Sequence, residues 1–168
     1  MNIQIRDEKL SDIQAIFELT QAAFADAEHS SHTEQFIVNA LRSSQQLTVS
    51  LVAEYEGQII GHIAFSPVSI SDGTTDWYGL GPVSVQPEFQ NQGIGSQLIH
   101  AGLDKLKMLK AAGCVLLGDP DYYARFGFKA KPELILQDVP AEYFQILYFT
   151  GKMPHGDVVY AEAFNATA

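Results

Sequence analysis

Two hydrophobic periods alternate along this chain. Ile3 and Ile5 are separated by polar residues, the two-residue step of a strand. From Ile13 the step lengthens: Ile13, Ile16, Phe17, Leu19, Ala23 and Phe24 recur at threes and fours and predict a helix. Ser11 is its expected N-cap, with Gln14 three residues on as the weaker form of a capping box. The polar stretch Asp26 to His32 reads as a loop, and Thr33 caps an expected second helix carrying Phe36, Ile37, Ala40 and Leu41. Thr48 to Tyr55 and Gln58 to Ile70, joined by Glu56-Gly57, predict a hairpin. After a turn at Ser71-Asp72-Gly73-Thr74, Trp77 to Val85 reads as a strand interrupted by Gly79, Gly81 and Pro82.

Gly93 to Ala112 is the longest helical pattern, with Gly113 as its expected stop. Cys114 to Leu117 is a short, wholly apolar strand. Asp119 then caps a short helix with Pro120 at its first position, and Gly127 ends it. Phe128 onward and Tyr143 to Phe149 read as closing strands, and Val158 to Tyr160 as an edge strand. The tightly connected middle strands must be antiparallel. The strand–helix–strand crossover from Trp77 to Leu117 demands a parallel pair. The expected architecture is α+β: a mixed, mostly antiparallel sheet of six to seven strands with about four helices, one domain over residues 1–168.

Composition narrows the class. Hydrophobic residues make up 46% and charged residues 18%, enough to bury a core and unlike a disordered chain. A net charge of −10 argues against nucleic acid and against anionic membranes as partners, and mildly favours a cationic acceptor. The lone Cys114 excludes an intrachain disulfide and sits among apolar neighbours as a core residue. Neither a signal-peptide pattern nor an apolar run near ~20 residues is visible, so a cytoplasmic location is expected.

The chemistry concentrates between Gly81 and Ser96. A strand, Val83-Ser84-Val85, runs through Gln86-Pro87-Glu88-Phe89 into Gln90-Asn91-Gln92-Gly93-Ile94-Gly95-Ser96 and straight into the long helix. The first amides of a helix have no internal partner and carry the positive end of its dipole. Glycines there let a phosphate oxygen approach the backbone. The amides from Gln92 to Ser96, helped by the Ser96 hydroxyl, therefore form a candidate pyrophosphate cradle. No Gly-Lys-Ser/Thr is present, so this is not a nucleoside-triphosphate loop, and the third glycine of the dinucleotide fingerprint is missing.

Gln90-x-x-Gly93-x-Gly95, together with Tyr123-Ala124-Arg125-Phe126-Gly127-Phe128 downstream, resembles the GNAT N-acetyltransferase superfamily. Gly118 to Phe128 is similar to a bacterial branch of it, and the order of elements agrees over nearly the whole chain. The resemblance implies acetyl-CoA as cofactor and acetyl transfer to a primary amine, on a small molecule or a peptide, by direct attack. It implies that Val83 and Val85 bind the pantetheine arm where the strand splays at Gly79 to Pro82. Ser84, Gln90, Asn91, Gln92, Gly93, Ile94, Gly95, Ser96 and Tyr122 accompany them as cofactor-binding residues. Asp119 joins this set, standing in for an Asn the family often carries upstream, where this chain has Leu116; it also suits a simple helix cap. Tyr123 falls at the position of the general acid, a group protonated at neutral pH that can meet the departing thiolate. Arg125 is a candidate phosphate partner.

No base is singled out. Glu28, His29, His32, Glu34, His62 and Glu88 are candidates, each equally readable as a loop or sheet residue. Trp77 and Tyr78 flank the expected cleft. The alternative to an enzyme is an acyl-CoA-binding sensor or interaction module without catalysis. Tyr143 to Phe149 is apolar enough for core or for a homodimer surface.

Overall fold

The computed structural model describes residues 1–168. Its spine is an eight-stranded sheet. Six strands lie side by side in the order β1 (Gln4–Asp7), β2 (Val49–Tyr55), β3 (Gln58–Ile70), β4 (Trp77–Val85), β5 (Gly113–Leu117) and β7 (Phe144–Tyr148). β8 (Gly156–Tyr160) pairs with the far end of β3 and with the two-residue β6 (Leu134–Ile135). Pairing is antiparallel from β1 to β4 and between β5 and β7, while β4 and β5 run parallel. The helices are α1 (Ile13–Phe24), α2 (Glu34–Ser43), α3 (Ile94–Met108) and the single turn α4 (Pro120–Tyr123).

Strand alternation assigns each helix its face. Leu51 and Ala53 of β2 join Ile94, Leu98 and Ile99 of α3 in the main core, whereas Val52 between them joins Ile16 and Leu19 of α1. Val38 of α2 lies in that second cluster. A third cluster, with Trp77, Val115, Phe144 and Ile146, closes the end of the sheet where β6 and β8 pack. Fully burying each such side chain is worth roughly 1.5–3 kcal/mol. No helix is long and apolar enough to cross a membrane.

The structure corrects several local expectations. The sheet has eight strands: β8 falls on the expected edge strand at Val158 to Tyr160, and the two-residue β6 is too short to read from periodicity. Ser11 does not cap α1. It lies in a short 3-10 turn, Leu10–Asp12, and Asp12 takes the Lys9 amide at 2.7 Å and the Arg6 guanidinium at 2.8 Å. The Arg6 bond holds the Asp12 carboxyl below its ordinary range, and Arg6 also reaches Glu54. Gly113 does not stop α3; the helix ends at Met108 and Lys110 takes the left-handed conformation at φ +63°. Gly113 opens β5 instead, where a Cβ would stand 2.3 Å from the Trp77 ring. After Phe128 there is only an isolated bridge, Lys129 to Ile146, before β6. In the Tyr143 to Phe149 stretch, Phe144, Gln145 and Ile146 are buried core, while Tyr143 and Tyr148 are exposed.

Candidate active site

The site begins with a fault in β4. Ile63 pairs with Val83, yet Phe65, two residues on, pairs with Leu80, three back, so β4 carries an extra residue around Gly81-Pro82. Parallel pairing with β5 ends at Gly79 and Val115. Beyond that point the strands part, and Leu116 and Leu117 pair only with β7. Val83 and Val85 thereby face a cavity of about 620 Å³.

The floor of this cavity is the turn into α3. Pro87–Phe89 forms a 3-10 turn, and Gln90 donates from Nε2 to the Val85 carbonyl at 3.0 Å, fastening the loop to the strand end. Asn91 and Gly93 adopt left-handed φ of +63° and +85°, which swings the chain into the helix. Gln90, Asn91, Gly93, Ile94, Gly95 and Ser96 line the cavity. No neighbour lies within 4 Å of a Cβ built at Gly93, and one at Gly95 meets only the Tyr122 hydroxyl and a Val85 methyl at 3.8 Å. The backbone at the helix start is therefore open to a large anion, which fits a CoA pyrophosphate.

The opposite wall is α4 and the 3-10 turn after it. Asp119 accepts the Asp121 amide at 2.9 Å and caps the turn; Gly127 ends it at φ +93°. Tyr122, Tyr123 and Arg125 line the cavity from here. Arg125 is the sole cation on the lining; its guanidinium lies 4.4 Å over the Tyr122 ring and its Nε donates to the Tyr122 carbonyl at 2.9 Å. Tyr123 packs edge-on against Tyr122 and Phe128. Burial, then the neighbouring Tyr122 and Asp119, push its phenol up to about 12, so it holds its proton at neutral pH.

Three expected cofactor-binding residues do not line this cavity. Ser84 is 2% exposed on the other face of β4, as strand alternation between Val83 and Val85 requires. Gln92 is exposed and turned back toward the Glu88 carbonyl. Asp119 lines a second cavity, with His29. Phe89 and Ile99 line the first cavity unforeseen. Ile99 was findable, since it follows Gly95 by one helical turn. Trp77 is 1% exposed and packs in the third core cluster rather than at the cleft, and Tyr78 packs against the main core.

Of the candidate bases, His29 lines the second cavity, with Leu117, Gly118, Asp119, Val139 and Tyr143. His32 Nδ1 lies 3.0 Å from the Phe24 carbonyl, both Glu34 oxygens accept from Ser30, and Glu28 and Glu88 are exposed. His62 is wholly buried on the α1 side of the sheet. Its Nε2 lies 2.8 Å from Ser50 Oγ, and Ser50 donates to Glu8 at 2.5 Å. Glu8 in turn accepts two bonds from Arg42, both at 2.9 Å. The single Ser50 proton goes to Glu8, so His62 must donate from Nε2, leaving Nδ1 as a lone pair with no protein partner. Cys114 is buried and its thiol is pushed up by burial, which fits core and not nucleophile.

Residues 46–130, half of the chain, match the family model described as the acetyltransferase (GNAT) domain. The chain belongs to the GNAT acetyltransferase family. It is 50% identical to a GNAT family acetyltransferase from Brucella melitensis solved in complex with acetyl-CoA, over 97% of this chain and 98% of that one, with a TM-score of 0.87. It is 34% identical to the YhbS N-acetyltransferase of Escherichia coli solved in complex with CoA, over 100% and 94% of the two chains, with a TM-score of 0.90. Among curated relatives, Escherichia coli YhbS, described as an uncharacterized N-acetyltransferase, is 43% identical over 100 residues. That alignment spans 59% of this chain and about 60% of the relative.

Proposed function

We propose that this protein transfers an acetyl group from acetyl-CoA to a primary amine, with Tyr123 as the proton donor. The observation that carries the reading is one cavity holding both an open helix start at Gly93 and Gly95 and the Tyr123 side chain. Relatives of 50% and 34% identity, solved with acetyl-CoA and CoA, support it.

The amides from Gly93 to Ser96 donate to the pyrophosphate, with the dipole of α3 behind them. Arg125, held on Tyr122, adds the one full positive charge on the lining. Val83 and Val85 present the parted strand to the pantetheine arm, which pairs with it as an added strand would. Acetyl-CoA, when bound, supplies an activated thioester carbonyl. Tyr123 brings a proton to the sulfur: its hydroxyl is spent on no hydrogen bond within the protein and stays neutral until about pH 12. A module that only bound acyl-CoA would have no use for that hydroxyl in the cavity.

Thermal unfolding with acetyl-CoA, against ATP and NAD as controls, tests the assignment. At ~100 times its dissociation constant the ligand adds about 2.7 kcal/mol, a rise of roughly 5–10 °C for a chain of this size. A shift specific to acetyl-CoA is expected. Equal shifts with ATP, or none at saturation, refute the pyrophosphate cradle.

A further inference from the structure

The last strand of the chain reaches the point where β4 and β5 part. β8 pairs with β3, and Tyr160 stands opposite Val68. From there the Tyr160 ring crosses onto Gly79, the last residue of β4 that pairs with β5. A Cβ on Gly79 would stand 2.9 Å from Cδ1 of that ring and 3.3 Å from a Val68 methyl, so the glycine leaves a notch that the ring fills. Phe164 packs on the ring with centroids 5.1 Å apart, and the short turn that carries it, Glu162–Asn165, lies against α2.

Packing accounts for the ring and not for its hydroxyl. A phenylalanine would fill the same notch. The Tyr160 hydroxyl makes no hydrogen bond within the protein and is not sealed from solvent. Burial, and then the neighbouring Cys114, push the phenol well above its usual range, so at neutral pH it is a donor. Ser66, in register with Gly79 on β3, carries a second hydroxyl, fully buried and without a partner. Buried hydroxyls ordinarily find a partner. Two unpaired hydroxyls at the rung where the strands part point to a partner from outside the chain.

The order of residues along β4 selects that partner. With the pyrophosphate at the start of α3, the pantetheine arm passes Val85 first and then Val83. It runs on toward Gly81 and Gly79, where pairing with β5 closes the gap. The thioester is therefore the part of the cofactor that comes nearest the Gly79 rung. Its carbonyl oxygen is an acceptor, which an incoming ammonium is not.

We infer that the Tyr160 hydroxyl donates a hydrogen bond to the thioester carbonyl oxygen of bound acetyl-CoA, a catalytic contact supplied by the C-terminal strand. The inference rests on the acetyl-transfer reading above. As the amine nitrogen bonds to the carbonyl carbon, an electron pair moves onto the oxygen, and the phenol stabilises that charge without giving up its proton. The pair then returns to re-form the carbonyl, the carbon–sulfur bond breaks, and Tyr123 protonates the sulfur. The two tyrosines thus serve different atoms.

Infrared difference spectra of acetyl-CoA isotopically labelled at the thioester carbonyl, bound to the full chain, test this without an acceptor. A hydrogen bond lowers the carbonyl stretch. The labelled band should lie lower in the wild-type complex than in free acetyl-CoA, and Tyr160→Phe should move it back up. The unfolding temperature of Tyr160→Phe should hold or rise, since only an unpartnered hydroxyl is lost, and acetyl-CoA should still raise it. Gly79→Ala pushes the ring aside and should move the band in the same direction. A band at one position in the wild-type and Tyr160→Phe complexes overturns the inference. Failure of acetyl-CoA to stabilise the wild-type protein is a different result, which removes the transfer reading itself and this contact with it.

Discussion

Gly95 and Gly102 stand about two turns apart on α3, and the two ends of that stretch have opposite surroundings. A Cβ at Gly95 meets nothing closer than 3.8 Å; one at Gly102 strikes the Phe65 ring at 2.2 Å. The first glycine borders empty space and the second borders a fully buried aromatic. The same contrast runs across β4. Val83 and Val85 face the cavity, while Ser84 between them is sealed against the α1 side, where His62, Ser50, Glu8 and Arg42 form a buried chain of hydrogen bonds. One face borders open space and the other is buried. A residue type alone does not tell which role it has; the distance to its neighbours does.

Changes on the open side should alter kinetics and spare stability, and changes on the closed side should do the reverse. The largest effect expected is at Tyr123. Tyr123→Phe removes a hydroxyl with no partner in the protein, so unfolding temperature should hold while kcat falls by about 100-fold or more at little change in acetyl-CoA affinity. Equal rates for both forms would take Tyr123 out of the chemistry.

The closed face is probed through pH. Burial, and then Arg42 against the opposing pull of Glu8, holds the His62 imidazole down to about 4. In the unfolded chain it takes a proton near ~6.5. Between those values the unfolded state binds more protons, so the stability is intact above ~6.5 and drains away as pH falls toward 4, by about 3 kcal/mol. Glu8 and Asp12, both lowered, extend the loss in the same direction at lower pH. Chemical denaturation at several pH values measures the slope, and His62→Leu should flatten the part of it above pH ~4.5. A slope unchanged in that variant would place the effect elsewhere.

The two glycines give the smallest and most direct comparison. Gly102→Ala forces Phe65 to move and should cost about 2 kcal/mol, a fall of roughly 4–8 °C in unfolding temperature, without changing the acetyl-CoA KM of the folded protein. Gly95→Ala puts a methyl group into the open cradle. It should raise that KM about tenfold and leave the unfolding temperature unchanged or slightly higher, since alanine suits a helix. Identical behaviour of the two variants would break the contrast.

Much of this was legible without coordinates. The bounds of β3 and β4 match the expected Gln58 to Ile70 and Trp77 to Val85, because their apolar runs end in unambiguous turns. The loop from Gln90 to Ser96 and the turn from Asp119 to Gly127 are local devices, written in glycine, proline and a capping carboxylate. Less legible were events that need a distant partner. Asp12 displaced Ser11 because Arg6 and Lys9 compete for its oxygens. Gly113 proved to be a packing glycine because Trp77, far away in sequence, lies across it. Asp119, expected with the cofactor as the stand-in for a family Asn, caps α4 and lines a second cavity instead of the first.

The sequence by itself determined the order of strands and helices, the parallel crossover and the glycine turn that opens α3, since each depends on local backbone preference and hydrophobic period. Only the tertiary structure decided which side of each strand is open. It brought His29, Asp119 and Tyr143 around one space. Those outcomes depend on contacts between residues tens of positions apart, where burial and packing act on distance in space and no periodicity in the chain records it.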